Sequence, residues 1–232
     1  MKNTLIRAAL TGLLLATTSF ISHATIIAST DFDGRTVNGA TASNLDWTVN
    51  GLSDPGNLTA DFGLFTSAAA NDRFAVDRNL HTEGSWMVDI ALNVLALNDL
   101  SLSTVTLDAF IFNNAGSLQT LQRDLDLSLQ LFDAADALLT SANLLNIYAA
   151  NGNFSVSQPN GSNVSFDLGG VKLSAGNDYV LRLTASGQGP GNNAGIDNLV
   201  INGEITPVPA PGTLALFAMG LLGLALGQRK KR

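Results

Sequence analysis

Apolar and polar positions alternate with a period of two along most of the chain. Trp86, Val88, Ile90, Leu92 and Val94 are spaced two apart, as are Leu125, Leu127, Leu129 and Leu131, with polar residues such as Asp89, Ser128 and Gln130 between them. Successive side chains of a strand point to opposite faces, so each segment has one dry and one wet face, as antiparallel sheets do. Segments 45–52, 58–66, 102–112, 164–168, 179–185 and 196–205 read the same way. Turn chemistry separates them: Asp54-Pro55-Gly56, Asn151-Gly152, Asn160-Gly161, Ala175-Gly176-Asn177-Asp178 and the stretch 187–195. Residues 134–145 have helical propensity, but Leu129-Gln130-Leu131-Phe132 runs into Asp133-Ala134-Ala135-Asp136 and out to Leu138-Leu139, the rhythm of a hairpin. Eight or more short strands with polar turns predict an all-β fold, a two-layer antiparallel β-sandwich of the jelly-roll type over residues 25–205. The sequence contains no visible internal repeat.

Two segments break the alternation, one at each end. Lys2 and Arg7 precede the apolar stretch 8–21, and Ser22-His23-Ala24 follows with small residues where a signal peptidase requires them, so residues 1–24 read as a secretory signal cleaved after Ala24. At the other end an apolar helix is expected over 213–228, ahead of Arg229, Lys230, Lys231 and Arg232. Its uninterrupted apolar part, 214–227, would span roughly 20 Å as a helix, against a hydrocarbon core of about 30 Å. That is short for a comfortable span, although bilayer thinning and snorkelling cations absorb such a mismatch. The basic cluster acts as a stop-transfer signal on the cytoplasmic side and leaves the β domain outside. Gly220, Gly223 and Gly227 leave one helix face nearly bare, which suits close approach of another membrane helix and is equally ordinary membrane-helix composition. Between domain and helix, prolines hold 206–212 as a short exposed spacer.

Val208-Pro209-Ala210-Pro211, then Gly212-Thr213-Leu214-Ala215-Leu216, the apolar segment and the terminal Arg/Lys cluster together resemble the PEP-CTERM sorting signal of bacterial exosortase substrates. In that family a Pro-Glu-Pro motif sits just outside the membrane and an exosortase, a membrane-embedded cysteine-protease-like enzyme, processes it. Ala210 stands where the family usually has Glu. The resemblance implies a transient membrane tether, an exosortase-like partner, and a destination at the cell surface or in an extracellular polysaccharide matrix. Separately, Leu173-Ser174-Ala175-Gly176-Asn177-Asp178-Tyr179-Val180-Leu181 and Gly195-Ile196-Asp197-Asn198-Leu199-Val200-Ile201 resemble the closing strands of secreted bacterial β-sandwich domains, which implies a galactose-binding-like sandwich without naming a ligand.

Six of the twelve basic residues lie in the two end segments, whereas all nineteen acidic ones lie between them, so residues 25–208 carry a net charge of −13. This excludes nucleic acid, whose phosphates need clustered Lys and Arg. The absence of cysteine excludes disulfides and thiolate-bound metals. His81 is the single histidine beyond the signal, and its surroundings, Arg78-Asn79-Leu80-His81-Thr82-Glu83-Gly84, lack a nucleophile-elbow pattern. We therefore expect a non-enzymatic protein. Two alternatives remain: a carbohydrate-binding module with structural calcium, and a surface glycoside hydrolase built on two opposed carboxylates. Asp31 and Asp33 beside Gly34, with Asp197 at the start of the last strand, are the calcium candidates, because first and last strands of a jelly roll are neighbours and carboxylates are hard oxygen ligands. An ordinary turn at Asp33-Gly34 and a loop cap at Asp197 is the competing reading. Trp47 and Trp86 alternate in phase with core residues, which argues against a stacking platform built on them; Tyr148 and Tyr179 remain available to a sugar, and the loop 186–193 reads as a mobile connection ahead of a sugar contact.

Overall fold

The computed structural model describes residues 25–66, 72–118, 125–145, 147, 162–187 and 193–208. The expected signal segment with Ala24, the turns at Asn151-Gly152 and Asn160-Gly161, Tyr148, and the tail with Pro209, Ala210, Pro211, the apolar helix and Arg229 to Arg232 lie outside the described residues. Among the described residues there is no helix, and hence none able to cross a membrane.

The chain is an antiparallel β-sandwich. One layer is a four-stranded sheet ordered β10 (Leu138–Leu144), β9 (Asp126–Asp133), β12 (Asp178–Ser186), β7 (Trp86–Asn93). Here the period-two pattern becomes packing directly. Leu127, Ala185 and Trp86 line up across the strands, as do Leu129, Leu183 and Val88, then Leu131, Leu181 and Ile90. Every one of these nine residues is at most 1% exposed. Paired residues share a face, so a slip of one residue would turn this whole set to water. The hairpin expected around Asp133 to Asp136 is present as β9 and β10: Asp133 Oδ1 accepts the N–H groups of Ala135 and Ala137, each at 2.9 Å, which closes the turn.

The other layer is ordered β11 (Ser162–Leu173), β8 (Asn98–Phe112), β13 (Asn193–Pro207), β1 (Thr25–Thr30), β4 (Thr48–Val49), with β6 (Phe74–Ala75) also pairing β13. First and last strands are indeed neighbours. This layer carries repeated register shifts, at Ile26/Ala28, Asp167/Val171, Asp197/Val200 and Asn202/Gly203. Each inserts unpaired residues and sharpens the twist. A small sheet of β2 (Thr36–Asn38), β3 (Thr41–Ser43) and β5 (Leu58–Thr59) lies against the four-stranded layer through the Ala60–Val88 bridge. Segments 45–52 and 58–66, expected as full strands, pair over only two residues each in β4 and β5. Gly51 and Gly56, both at positive φ, turn the chain out of the ladder there.

A single apolar core fills the space between the layers. Trp86 is fully buried and packs on Phe74 at 6.2 Å between ring centres, which itself meets Phe32 at 5.9 Å. A second cluster of Phe65, Ala75, Phe110 and Phe112 lies apart from that core. β13 runs two residues into the expected spacer: Thr206 pairs Asp99 and Pro207 pairs Asn98. Proline is tolerated there because it closes the strand, beyond the last residue of β13 that β1 reaches, so no neighbour asks for its missing N–H.

Candidate functional site

Phe32 adopts φ 59°, a left-handed conformation, and its ring is fully buried. The Thr30 hydroxyl accepts its N–H at 3.2 Å. Driving Phe32 inward leaves Asp31 and Asp33 outside on either side of it, and Asp31 Oδ1 accepts the Asp33 N–H at 3.1 Å. Asp31 lines a groove of about 200 Å³ with Ser29, Asp46, Thr48 and Asn198. Asp33 instead adds its charge to the field felt by Asp197.

Asp197 sits where β13 bulges. Asn198 takes φ 47°, which Asn tolerates better than most residues, and its N–H donates to Asp197 Oδ1 at 2.8 Å. Register pairing sets Asp197 directly opposite Asp108 of β8, an unfavourable arrangement for like charges. Neutral amides and one cation offset it. Asn198 Nδ2 donates to Asp108 Oδ2 at 2.7 Å, Asn163 Nδ2 of β11 donates to Asp108 Oδ1 at 3.0 Å, and Arg73 Nε stands 3.7 Å from Asp197 Oδ2. Arg73 also lies over the Phe110 ring at 4.4 Å, which fixes its position. Burial wins over these contacts and pushes the Asp197 carboxyl up to about 6. The Asn198 N–H and Arg73 pull it down, while Asp33 and Asp108 push further up.

Of the three residues expected to share a calcium ion, the fold therefore brings Asp33 toward Asp197 and directs Asp31 into the adjacent groove. Among the described residues no three His, Cys, Asp or Glu side chains are arranged to hold a metal ion. The counter-charge at Asp197 is Arg73. Asp108, Asn163 and Arg73 belong to this network and were not singled out in the sequence. Their common signal is strand register, which no local motif carries.

The aromatic residues follow the phase of their strands. Tyr179 is 7% exposed and its hydroxyl accepts the Ser174 N–H at 2.9 Å. The Trp47 indole N–H donates to the Gly56 carbonyl at 2.9 Å, and its ring is partly buried against the core. His81 lies in an exposed turn, where its N–H donates to Asn79 Oδ1 at 3.1 Å. On the outer face of the four-stranded sheet, Arg182 grips Asp89 with two bonds of 2.7 Å beneath the Phe132 ring.

A further opening lies at the end of the sandwich where β13 finishes. It is a cleft of about 330 Å³ lined by Asp133, Leu139, Lys172, Asn177, Asp178 and Tyr179. The chain leaves the domain at the same end, where the Val208 N–H donates to the Leu97 carbonyl at 2.9 Å as the last described contact.

Residues 207–231 match the family model of the PEP-CTERM protein-sorting motif. The match begins at the final residue of β13. A motif of this kind marks a protein for export and sorting at the membrane, with processing by an exosortase. No curated protein matches the sequence. Among solved structures the chain is similar to TmCBM61 in complex with β-1,4-galactotriose, at 10% identity over 77% of this chain and 91% of that one, with a TM-score of 0.33. It is also similar to the CBM22-1 xylan-binding domain from Paenibacillus barcinonensis Xyn10C, at 11% identity over 77% and 94%, with a TM-score of 0.30.

Proposed function

We propose that this chain is an exported, non-enzymatic β-sandwich that is held briefly at the membrane by its C-terminal segment, released by an exosortase-like protease, and deployed at the cell surface or in the extracellular polysaccharide matrix. The observation that carries this reading is the junction: the sorting motif starts where the last strand ends, at Pro207. Val208, Pro209, Ala210 and Pro211 present the motif, the apolar segment 214–227 holds it at the bilayer, and Arg229 to Arg232 stop it from passing through. The net charge of −13 on residues 25–208 keeps copies apart in solution and disfavours polyanionic partners, so a matrix glycan would be a neutral one.

Intact mass of the protein recovered from culture medium and from membranes tests this. The expected released species begins at Thr25 and lacks the basic end. A sole species ending at Arg232 in the inner membrane would make the segment a permanent anchor. A second reading, a glycan-binding module, draws on the 330 Å³ cleft, whose Asp133, Lys172, Asn177 and Asp178 offer hydrogen-bonding groups beside an apolar wall. Equilibrium dialysis against neutral glycans, with and without chelator, separates the two. No binding in either condition removes the module.

A further inference from the structure

Among the described residues, five of the nine large apolar side chains most exposed to water lie at the end of the sandwich from which the tail departs. The loop between β7 and β8 exposes Leu95 at 46% and Leu97 at 72%, and Leu97 is the residue whose carbonyl holds Val208. Leu138 and Leu139, at 51% and 39% exposed, start β10 at the same end, beside the Asp133 to Ala137 turn. Val208 itself is 36% exposed. The loop is held rather than loose: Leu95 N–H donates to the Gly51 carbonyl and Val94 N–H to the Asn177 carbonyl, both at 3.0 Å. Exposed leucines on a braced loop call for a partner.

Chain length indicates which partner. Only residues 209–213 separate Val208 from the apolar segment. Even fully extended, that stretch places Val208 within roughly 20 Å of the first apolar residue, while headgroups extend about 5–8 Å beyond the hydrocarbon. A tethered domain therefore holds Leu95 and Leu97 no farther than about 15 Å from the headgroup surface, a gap that closes whenever the stretch is less than fully extended.

We propose that this end of the domain rests on the outer surface of the bilayer while the tail is attached, with Leu95 and Leu97 dipping among zwitterionic headgroups. The proposal rests on the sorting reading above and adds to it an orientation and a reason for clean release. Asp99, Asp133, Asp136 and Asp178 ring the same end, with Lys172 among them. This acidic rim is repelled by anionic lipid and keeps the contact shallow. Two leucines hold only while the tether keeps the local concentration high, so cutting the tail ends both attachments together.

The chain has no cysteine, so one introduced thiol is a unique labelling site. The full chain with Leu97→Cys carries an environment-sensitive NBD fluorophore and is reconstituted into phosphatidylcholine vesicles, with flotation checking that the tail inserts. Ser117→Cys, beyond the far end of β8 and about 45 Å from its start, is the control. The expected result is a blue-shifted emission at 97, quenched several-fold more by nitroxide lipids than at 117. The shift should weaken in phosphatidylglycerol and vanish for the chain cut after Val208. With the probe moved to Leu95→Cys, adding Leu97→Asp should abolish it. A chain that fails to float overturns the tail reading, and this proposal with it. A chain that floats with no shift at 97 overturns the docking alone. A shift already present without vesicles assigns the leucines to the protein's own apolar tail. If position 97 stays dark in vesicles while Leu97→Asp slows maturation in cells, the face serves the processing enzyme. Either of the last two outcomes also overturns lipid docking.

Discussion

Asp197 faces Asp108 across the β8–β13 ladder, and burial raises its carboxyl from 3.8 to about 6. A carboxyl whose folded-state value is raised binds its proton more tightly in the folded chain. Its contribution is therefore full below about pH 4, is lost as pH rises toward 6, and is absent above that. The shift corresponds to about 3 kcal/mol at face value, and to ~1 kcal/mol once water at this half-buried site screens it. Asp197→Asn keeps the acceptor for the Asn198 N–H and removes the charge. The variant should be more stable than the parent at pH 7 and equal to it near pH 4 in urea midpoints. A constant difference across that range would show that Asp197 does not titrate there. Arg73 supplies the opposing charge, so millimolar calcium is expected to leave the thermal midpoint unchanged. A rise that a chelator reverses would restore the ion to Asp31, Asp33 and Asp197.

At the scale of elements, β13 decides the fold, because it lies between β8 and β1 and also receives β6. Gly203 stands at one of its register shifts, and a Cβ there would strike the Ser101 carbonyl oxygen and lie 3.2 Å from the Leu102 Cα, both in β8. Backbone cannot move aside as a side-chain tip can, so Gly203→Ala should cost about 1–3 kcal/mol in a denaturant titration. The neighbouring bulge tells where legibility stops. Alternation in β7, β9 and β12 was plain because those ladders are regular and one residue in two is dry. In β8 the buried positions skip from Leu102 to Val105 as register shifts intervene, and the pairing of Asp108 with Asp197 and Asn163 follows from that displaced register. The polar network was hidden for the same reason that its strands are irregular.

For the molecule as a whole, ladder and sorting motif meet at Pro207, so removal of the tail costs no strand. A chain ending at Val208 should unfold at the same midpoint as the full domain, whereas one ending before Asn193 should fail to fold, having lost the central strand of a layer. A markedly lower midpoint for the first truncation would mean that the sorting segment also supports the domain. The two-layer architecture, the hairpin at Asp133, the acidic charge and the sorting tail with Pro209, Ala210 and Pro211 were all determined by local sequence. Period-two alternation, turn residues and charge order act through neighbours a few positions apart, so they are readable wherever the ladders stay regular. Tertiary structure alone decided that Asp31 and Asp33 flank a buried phenylalanine, that Arg73 answers Asp197, and that Leu95 and Leu97 stand beside the departing chain. Each of those depends on which strands pair and in what register, a choice made by the burial of the entire core rather than by any one segment.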